Sequence, residues 1–316
     1  MKAAPARGER RAVIDIGTNA VKVLVGDVLS GDVTPVAERN EQTRLGRGFY
    51  QDKMLRPEAV EATARAVAEF ACFARESGAE SIRVIATSAV REARNRIDLE
   101  QAVVRGSGLP VEVISGDTEA RLAFLGVSRF SGLGSGPMLI IDAGGGSTEF
   151  ILGCGGKCLF RQSHPLGAVR MMEAALFADP PGAAARRACL AGTLEFLRRL
   201  VHPGIEPFVH LNPPEFLVGT GGSAAIMARI QDGIADYDRE RIEAARLTLA
   251  GVREQTNRLW GTPLAERRRL PGLPPDRADI ILPGAIIYEA VMESFGLEEL
   301  RVSTRGLRFA ALLESV

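Results

Sequence analysis

The residues best suited to chemistry are carboxylates set beside glycine-rich turns. Asp142-Ala143-Gly144-Gly145-Gly146-Ser147-Thr148 ends an apolar run in an aspartate, then adds a glycine triplet and two hydroxyls. An aspartate at a strand tip can hold a cation or a water, and glycines let backbone N–H groups approach phosphate oxygens closely. Asp15-Ile16-Gly17-Thr18-Asn19 is a shorter version of the same pattern. Glu149 follows the longer turn and Lys22 follows the shorter one at the corresponding position. One acidic and one basic side chain are thus placed to face a phosphate–metal pair, while either turn taken alone also reads as an ordinary hairpin.

Other segments carry weaker signals. Gly219-Thr220-Gly221-Gly222-Ser223 follows an apolar run and precedes the helical AAIMARI, the context of a helix N-terminus that binds an anion or of a plain strand-to-helix turn. Glu119 lies in SGDTEARLAFLGV, in the first turns of a helix, where a carboxylate favours the helix dipole whatever else it does. Arg91 follows the strand at 82–87. The carboxyl end of a strand is where open α/β sheets bind ligands, although an arginine starting a solvated helix fits that position too. No Gly-x4-Gly-Lys-Ser/Thr loop occurs, and Gly132-Leu133-Gly134-Ser135-Gly136 reads as linker because it neither follows a clear strand nor opens a clear helix. No Gly-x-Ser-x-Gly elbow occurs either, and His164 reads as a loop or core histidine. A water activated by a carboxylate therefore fits better than a side-chain nucleophile.

These residues need strands ending in turns, and the chain supplies them. Residues 12–29 read as strand, tight turn and strand; 57–77 as a helix opening at Pro57; 82–87 and 111–115 as strands; 97–105 and 117–127 as helices. The Gly/Ser-rich 129–137 reads as a loop crossing between domains. The opening pattern then returns at 138–153, followed by helices at 168–177, 183–201, 239–260 and 285–295 and a strand at 215–220. At one constant, ungapped shift, Ile14-Asp15-Ile16-Gly17 lies over Ile141-Asp142-Ala143-Gly144, and Val23-Leu24-Val25-Gly26 over Phe150-Ile151-Leu152-Gly153. The alternation predicts an α/β class, and the repeat predicts two related domains, each offering a turn to one cleft.

Composition narrows the function classes. The chain has 316 residues with 46% hydrophobic and 25% charged residues, as in a soluble globular protein of two domains. Lys+Arg and Asp+Glu both number 39, which argues against a mainly electrostatic nucleic-acid or membrane binder. No run of about 18 apolar residues appears, and the start, MKAAPARGERRAVIDIG, has no apolar signal core; a cytoplasmic location is expected. Cys72, Cys154, Cys158 and Cys189 read as reduced thiols, without the spacing of a zinc site. The cations are almost all arginine, with lysine only at 2, 22, 53 and 157. That suits bidentate phosphate recognition, and it is also what codon bias produces.

Taken together, AVIDIGTNAVKVLV, RVIATSAVREARN, VISGDTEARLAFLGV, LIIDAGGGSTEFILG, HPLGAVRM, LVGTGGSAAIMA and ADIILPGAIIYEAV resemble the exopolyphosphatase / guanosine pentaphosphate phosphohydrolase family, in order and over nearly the whole chain. The resemblance implies an actin-like ATPase fold with two ribonuclease-H-like domains around a cleft, expected here at 1–125 plus 301–316 and at 126–300. It implies Mg2+-dependent hydrolysis of the terminal phosphate of inorganic polyphosphate, or of the 5′ γ-phosphate of guanosine pentaphosphate (pppGpp). The family's catalytic glutamate falls on Glu119, the glutamate closing its glycine block on Glu149, the aspartate of that strand on Asp142, and its Ser-Ala-x-Arg arginine on Arg91. The expected roles are general base for Glu119, metal binding for Asp142 and Glu149, and phosphate binding for Asn19, Lys22, Arg91 and the Gly144, Gly145, Gly146, Ser147, Thr148 turn. Gly219, Gly221, Gly222 and Ser223 form a candidate second anion-binding turn. Thr118 stands where many members have a second glutamate, and Ala20 where a serine is common; both put some metal or phosphate contacts in doubt. A long C-terminal helical extension is missing, so the chain resembles the short, two-domain members. Two other classes share the fold: an actin-like ATPase or sugar kinase, and a non-catalytic sensor that binds polyphosphate or an alarmone. A second copy of the chain is a candidate partner, and nucleic acid and membrane are not expected ones.

Overall fold

The computed structural model describes residues 8–130, 133, 135–175 and 177–314. They fall into two compact units, Met1–Ser115 with Leu307–Val316, and Gly116–Gly306. The first unit opens with β1 (Glu9–Ile16), β2 (Val21–Leu29) and β3 (Asp32–Glu41), followed by α1 (Pro57–Glu76), β4 (Ser81–Ala86), α2 (Ser88–Glu92), α3 (Arg96–Ser107) and β5 (Val111–Val113). Pro57 starts α1, where its missing N–H is not needed. The helix buries Val60, Ala64, Val67, Phe70 and Ala71 in a core with Ile14, Val23, Val25, Leu99 and Val103.

The second unit holds α4 (Gly116–Phe130), β6 (Met138–Ala143), β7 (Thr148–Cys154), β8 (Lys157–His164), α5 (Ala168–Ala174) and α6 (Gly182–Phe196). A π-helical turn at Leu197–Val201 leads into α7 (His202–Leu211). Then come β9 (Phe216–Thr220), α8 (Gly222–Asp232), α9 (Arg239–Ala244), β10 (Arg246–Thr248), α10 (Leu249–Gly261), α11 (Leu264–Arg267), α12 (Ile281–Phe295) and β11 (Glu299–Val302). The last helix, α13 (Leu307–Leu313), belongs to the first unit and packs on β1, β2 and β3.

Among the described residues the strands form two sheets, in the orders β3-β2-β1-β4-β5 and β10-β11-β9-β6-β7-β8. Read from β8, the second sheet repeats the first: an antiparallel meander, then strands joined in parallel to its first member. The repeat extends to single bonds. Asp15 pairs with Lys22 and Asp142 with Glu149. Gly17 N–H donates to Ala20 at 3.0 Å, and Gly144 N–H to Ser147 at 2.9 Å. This is the duplicated α/β architecture of the actin-like fold expected from the sequence.

Five expectations change. The boundary between the units falls at Ser115/Gly116, ahead of α4 and not near residue 126. The reason is that Ala120, Ala123, Phe124 and Val127 of α4 pack with Met138, Ile140, Ile151 and Val218. Of the 129–137 loop, Ser131, Gly132 and Gly134 lie outside the described residues, and α4 runs to Phe130. The single helix expected at 239–260 is broken by β10, which pairs with β11; Thr248 then caps α10 by accepting from Gly251 N–H at 3.1 Å. The helix expected at 183–201 is α-helical only to Phe196. The helix expected at 168–177 ends at Ala174, and Leu176 lies outside the described residues.

Gly126 marks a close backbone approach within the second unit. An added Cβ there would overlap the Gly306 carbonyl oxygen and come within 2.5 Å of that of Arg305. Gly126→Ala should therefore destabilise the fold by about 1–3 kcal/mol, the usual cost of overpacking. The urea midpoint measures it, and an unchanged midpoint would contradict the tight contact.

Candidate active site

The glycine turn after β6 has its carbonyl side occupied by its own unit. Ala168 N–H donates to Gly144 O at 3.0 Å, Val169 and Arg170 N–H to Gly145 O at 2.8 and 3.1 Å, and Arg170 Nε to Gly146 O at 2.9 Å. The donors are the otherwise unpaired amides at the N-terminus of α5. Gly167 permits this approach, since a Cβ there would come within 2.5 Å of Gly145 O. Among the described residues no backbone carbonyl accepts from the Gly145 and Gly146 amides. The turn thus has its carbonyls satisfied and its N–H groups available, the polarity an anion needs.

The hydroxyls of the turn behave differently from expectation. Thr148 is fully buried and gives its hydroxyl to Leu166 O at 2.5 Å, so it serves the loop before α5 and not a phosphate. Ser147 hydrogen-bonds the Glu149 carboxylate. Backbone amides, not hydroxyls, are the donors this turn can present.

Three carboxylates gather beside it. Glu119 is buried in the first turn of α4. The bidentate Arg161–Asp117 pair, at 2.7 and 3.0 Å, ties that turn to β8. The ring of Phe124 fills the space over Gly153, where a Cβ would come within 2.7 Å of it. Glu149 is 1% exposed on β7, and its Oε1 accepts from Ser163 Oγ at 2.7 Å. Burial, then the charges of Glu119 and Asp142, push the Glu149 carboxyl well above its ordinary value; the hydrogen bonds from Ser163 and Ser147 oppose this.

Such an acidic group fits a divalent cation, whose charge removes the repulsion. Among the described residues no three His, Cys, Asp or Glu side chains stand close enough to form a complete cage. A cation held by one or two of these carboxylates would take its remaining ligands from water and phosphate.

The second candidate turn lies against the first. Gly221, at φ 90°, approaches Asp142 so closely that a Cβ would be 2.7 Å from Oδ1. The anion nearest the N-terminus of α8 is therefore the protein's own Asp142. The Arg277 guanidinium covers Gly222, with Nη2 3.2 Å from a Cβ placed there. Ser223 Oγ packs against Gly284 of α12.

In the first unit, Asn19 and Lys22 sit on the β1–β2 hairpin and Arg91 lies in α2, one turn beyond β4. Arg44 N–H donates to Asn19 O at 2.9 Å and Gly46 N–H to Thr18 O at 2.7 Å, so this turn also has its carbonyls held. The Asn19 side-chain amide donates to Gln42 Oε1. Arg91 Nη1 donates to Ile114 O at 3.0 Å. Asp15 is raised by burial, against the lowering effect of Lys22 and Arg308. His164 is buried with no partner for Nε2 and packs edge-on to Phe150; burial lowers its pKa, so it is a neutral core residue.

Sequence reasoning missed Ser163, Arg170 and Arg277 as neighbours of the site. Arg170 lies inside HPLGAVRM, where the glycine is the one local signal that could have suggested a close backbone approach. Ser163 and Arg277 had no spacing signal, because sheet pairing and loop packing bring them in.

The sequence profile of the Ppx/GppA phosphatase family matches residues 24–316. Exopolyphosphatase 2 of Mycobacterium tuberculosis is 33% identical over 93% of this chain and 94% of its own. Exopolyphosphatase 1 of the same organism is 30% identical over 97% of this chain and 88% of its own. Among solved structures, the Aquifex aeolicus Ppx-GppA enzyme aligns with a TM-score of 0.79 and 29% identity, covering 97% of this chain and 99% of that one. An exopolyphosphatase from Cytophaga hutchinsonii aligns with a TM-score of 0.86 and 25% identity, covering 96% of each.

The raised Glu149 carboxyl has a consequence for stability. Above the ordinary carboxyl value of 4.5 the folded chain keeps a proton that the unfolded chain has lost, so stability falls as pH rises through that window. In EDTA, Glu149→Gln should raise the thermal midpoint over wild type, by about 2–4 °C per kcal/mol, and more at pH 8 than at pH 5. Equal midpoints at both pH values would contradict the shift.

Proposed function

The chain belongs to the Ppx/GppA phosphatase family, and on that premise we propose that it is an exopolyphosphatase that removes the terminal phosphate of inorganic polyphosphate. The observation that carries this reading is the convergence of Glu119, Asp142 and Glu149 beside a glycine turn whose carbonyls are already bonded. The names of its relatives, exopolyphosphatases at 30–33% identity, support the choice of substrate.

In this reading Glu119 is the general base. Its position in the first turn of a helix anchored by Asp117 and Arg161 holds the carboxylate still while it takes a proton from the attacking water. The Gly145 and Gly146 amides stabilise charge on the transferred phosphoryl oxygens. Asp142 and Glu149 would hold Mg2+, which when bound neutralises phosphate charge. Ser163 and Ser147 fix the Glu149 carboxylate for that purpose. Within the first unit, this reading assigns donors and positive charge for phosphate to Asn19, Lys22 and Arg91. A polyanion otherwise meets a chain of zero net charge.

Glu119→Gln keeps the shape of the side chain and removes the base. It should lower kcat on polyphosphate by about 10²–10⁴-fold with a thermal midpoint no lower than that of wild type, and EDTA should abolish wild-type activity reversibly. Phosphate release is compared on polyphosphate, pppGpp and ATP. Faster release from pppGpp would move the substrate to the nucleotide. Faster ATP hydrolysis, or transfer of phosphate to a sugar, would replace this reading with a kinase-like one. Tight polyphosphate binding without release would make the chain a sensor.

A further inference from the structure

The first unit carries the side chains assigned above to phosphate on two segments: the β1–β2 hairpin with Asn19 and Lys22, and α2 with Arg91. One loop, residues 43–56, is bonded to both. At its start, the Arg44 and Gly46 amides hold the Asn19 and Thr18 carbonyls. At its end, the Lys53 carbonyl accepts from Arg94 N–H at 3.0 Å. The Asn95 side chain closes two more bonds, accepting from Leu55 N–H at 2.9 Å and donating to Leu55 O at 3.0 Å. Between the two ends Leu45, Phe49 and Leu55 are buried in the core of the unit, so the loop is a fixed body.

Each end also carries a cationic residue with left-handed backbone, Arg44 at φ 51° and Lys53 at φ 62°. A Cβ disfavours that conformation, and glycine or asparagine adopts it more readily. Strain of this kind concentrates where a residue is held for function. For Lys53 the side chain has a defined role. Its ammonium lies 2.6 Å from Glu92 Oε2, and Ser88 Oγ donates to Glu92 Oε1 at 3.1 Å. The ammonium also stands 5.2 Å from the centre of the Phe49 ring and 4.9 Å from that of Tyr50, within cation–π range.

Glu92 directly follows Arg91 on α2, a helix of five residues. So short a helix has little stability of its own, and its orientation depends on the contacts of its side chains. Consecutive helical residues point about 100° apart. The Arg91–Ile114 bond and the Glu92–Lys53 pair therefore restrain α2 in two different directions.

We propose that Lys53 is a positioning residue: through Glu92 it braces α2 against the 43–56 loop and so sets where Arg91 stands relative to the β1–β2 turn. The consequence for substrate rests on the assignment of phosphate to Arg91 in the reading above; the brace itself does not.

Lys53→Asn tests this, because it removes the ammonium while suiting the left-handed backbone. Amide exchange at 91–94 should speed up by about threefold or more, with α1 unchanged. KM for polyphosphate should rise by about three- to fivefold, the size of one half-buried ion pair, with kcat within about twofold of wild type. Lys53→Arg restores the charge and should return KM to within about twofold of wild type. In an Arg91→Ala background, Lys53→Asn should change KM no further, because the residue it acts through is gone. An equal rise in KM with and without Arg91 would make Lys53 a direct attraction for the polyanion and overturn the positioning role. Faster exchange with KM unchanged would make the pair structural only and overturn that role too. Unchanged exchange in Lys53→Asn overturns the brace. If Arg91→Ala leaves KM as in wild type, or the wild type releases no phosphate, the phosphate assignment fails, while exchange at 91–94 still decides the brace.

Discussion

A turn can offer N–H groups to an anion only when its carbonyls are satisfied elsewhere. Each peptide unit points its two polar groups in opposite directions, so bonding the carbonyls orients the amides. The second unit does this with the N-terminus of α5, whose amides and Arg170 side chain take up the oxygens of Gly144, Gly145 and Gly146. The first unit does it with the amides of Arg44 and Gly46, which hold Asn19 and Thr18. The same arrangement arises from unrelated sequence, a helix start in one unit and a loop in the other. Gly167 is the pivot of the first version, because any side chain there would drive α5 away from the turn.

Beside that donor surface the fold holds carboxylates where they repel. Glu149 is almost without exposure and has Glu119 and Asp142 as neighbours. Such a group is costly in isolation. The two serine hydroxyls offset part of the cost, and a cation offsets more. The hydrophobic packing of α4 and the meander β6–β7–β8 supplies the stability that keeps these charges together. The result is a site with strong demand for positive charge next to a strip of backbone donors, as phosphoryl transfer requires.

The duplicated sheets place one backbone pattern in two different charge settings. Position for position, Lys22 faces Asp15 and Glu149 faces Asp142. In the first unit the aspartate has lysine and Arg308 as charged neighbours; in the second it is part of an acidic group. A single exchange of charge in a shared register gives one hairpin a cationic partner for its aspartate and the other an acidic one.

The local signals in the chain were sufficient for the α/β class, the repeat, the strand-turn-strand units and the identity of the residues with chemistry in them. Asp142, Glu149 and the glycine triplet are contiguous, and short-range geometry dictates their placement. Tertiary structure decided which atoms are available. The Thr148 hydroxyl goes to Leu166, the Asn19 amide to Gln42, and Ser163 reaches the site from a separate segment. It also broke the apparent helix at 239–260 with a three-residue strand, because β11 offered an edge to pair with. These outcomes depend on contacts between residues far apart in the chain. Periodicity and turn chemistry report only on neighbours, so a sequence can name the carboxylates and glycines but not the partners that aim them.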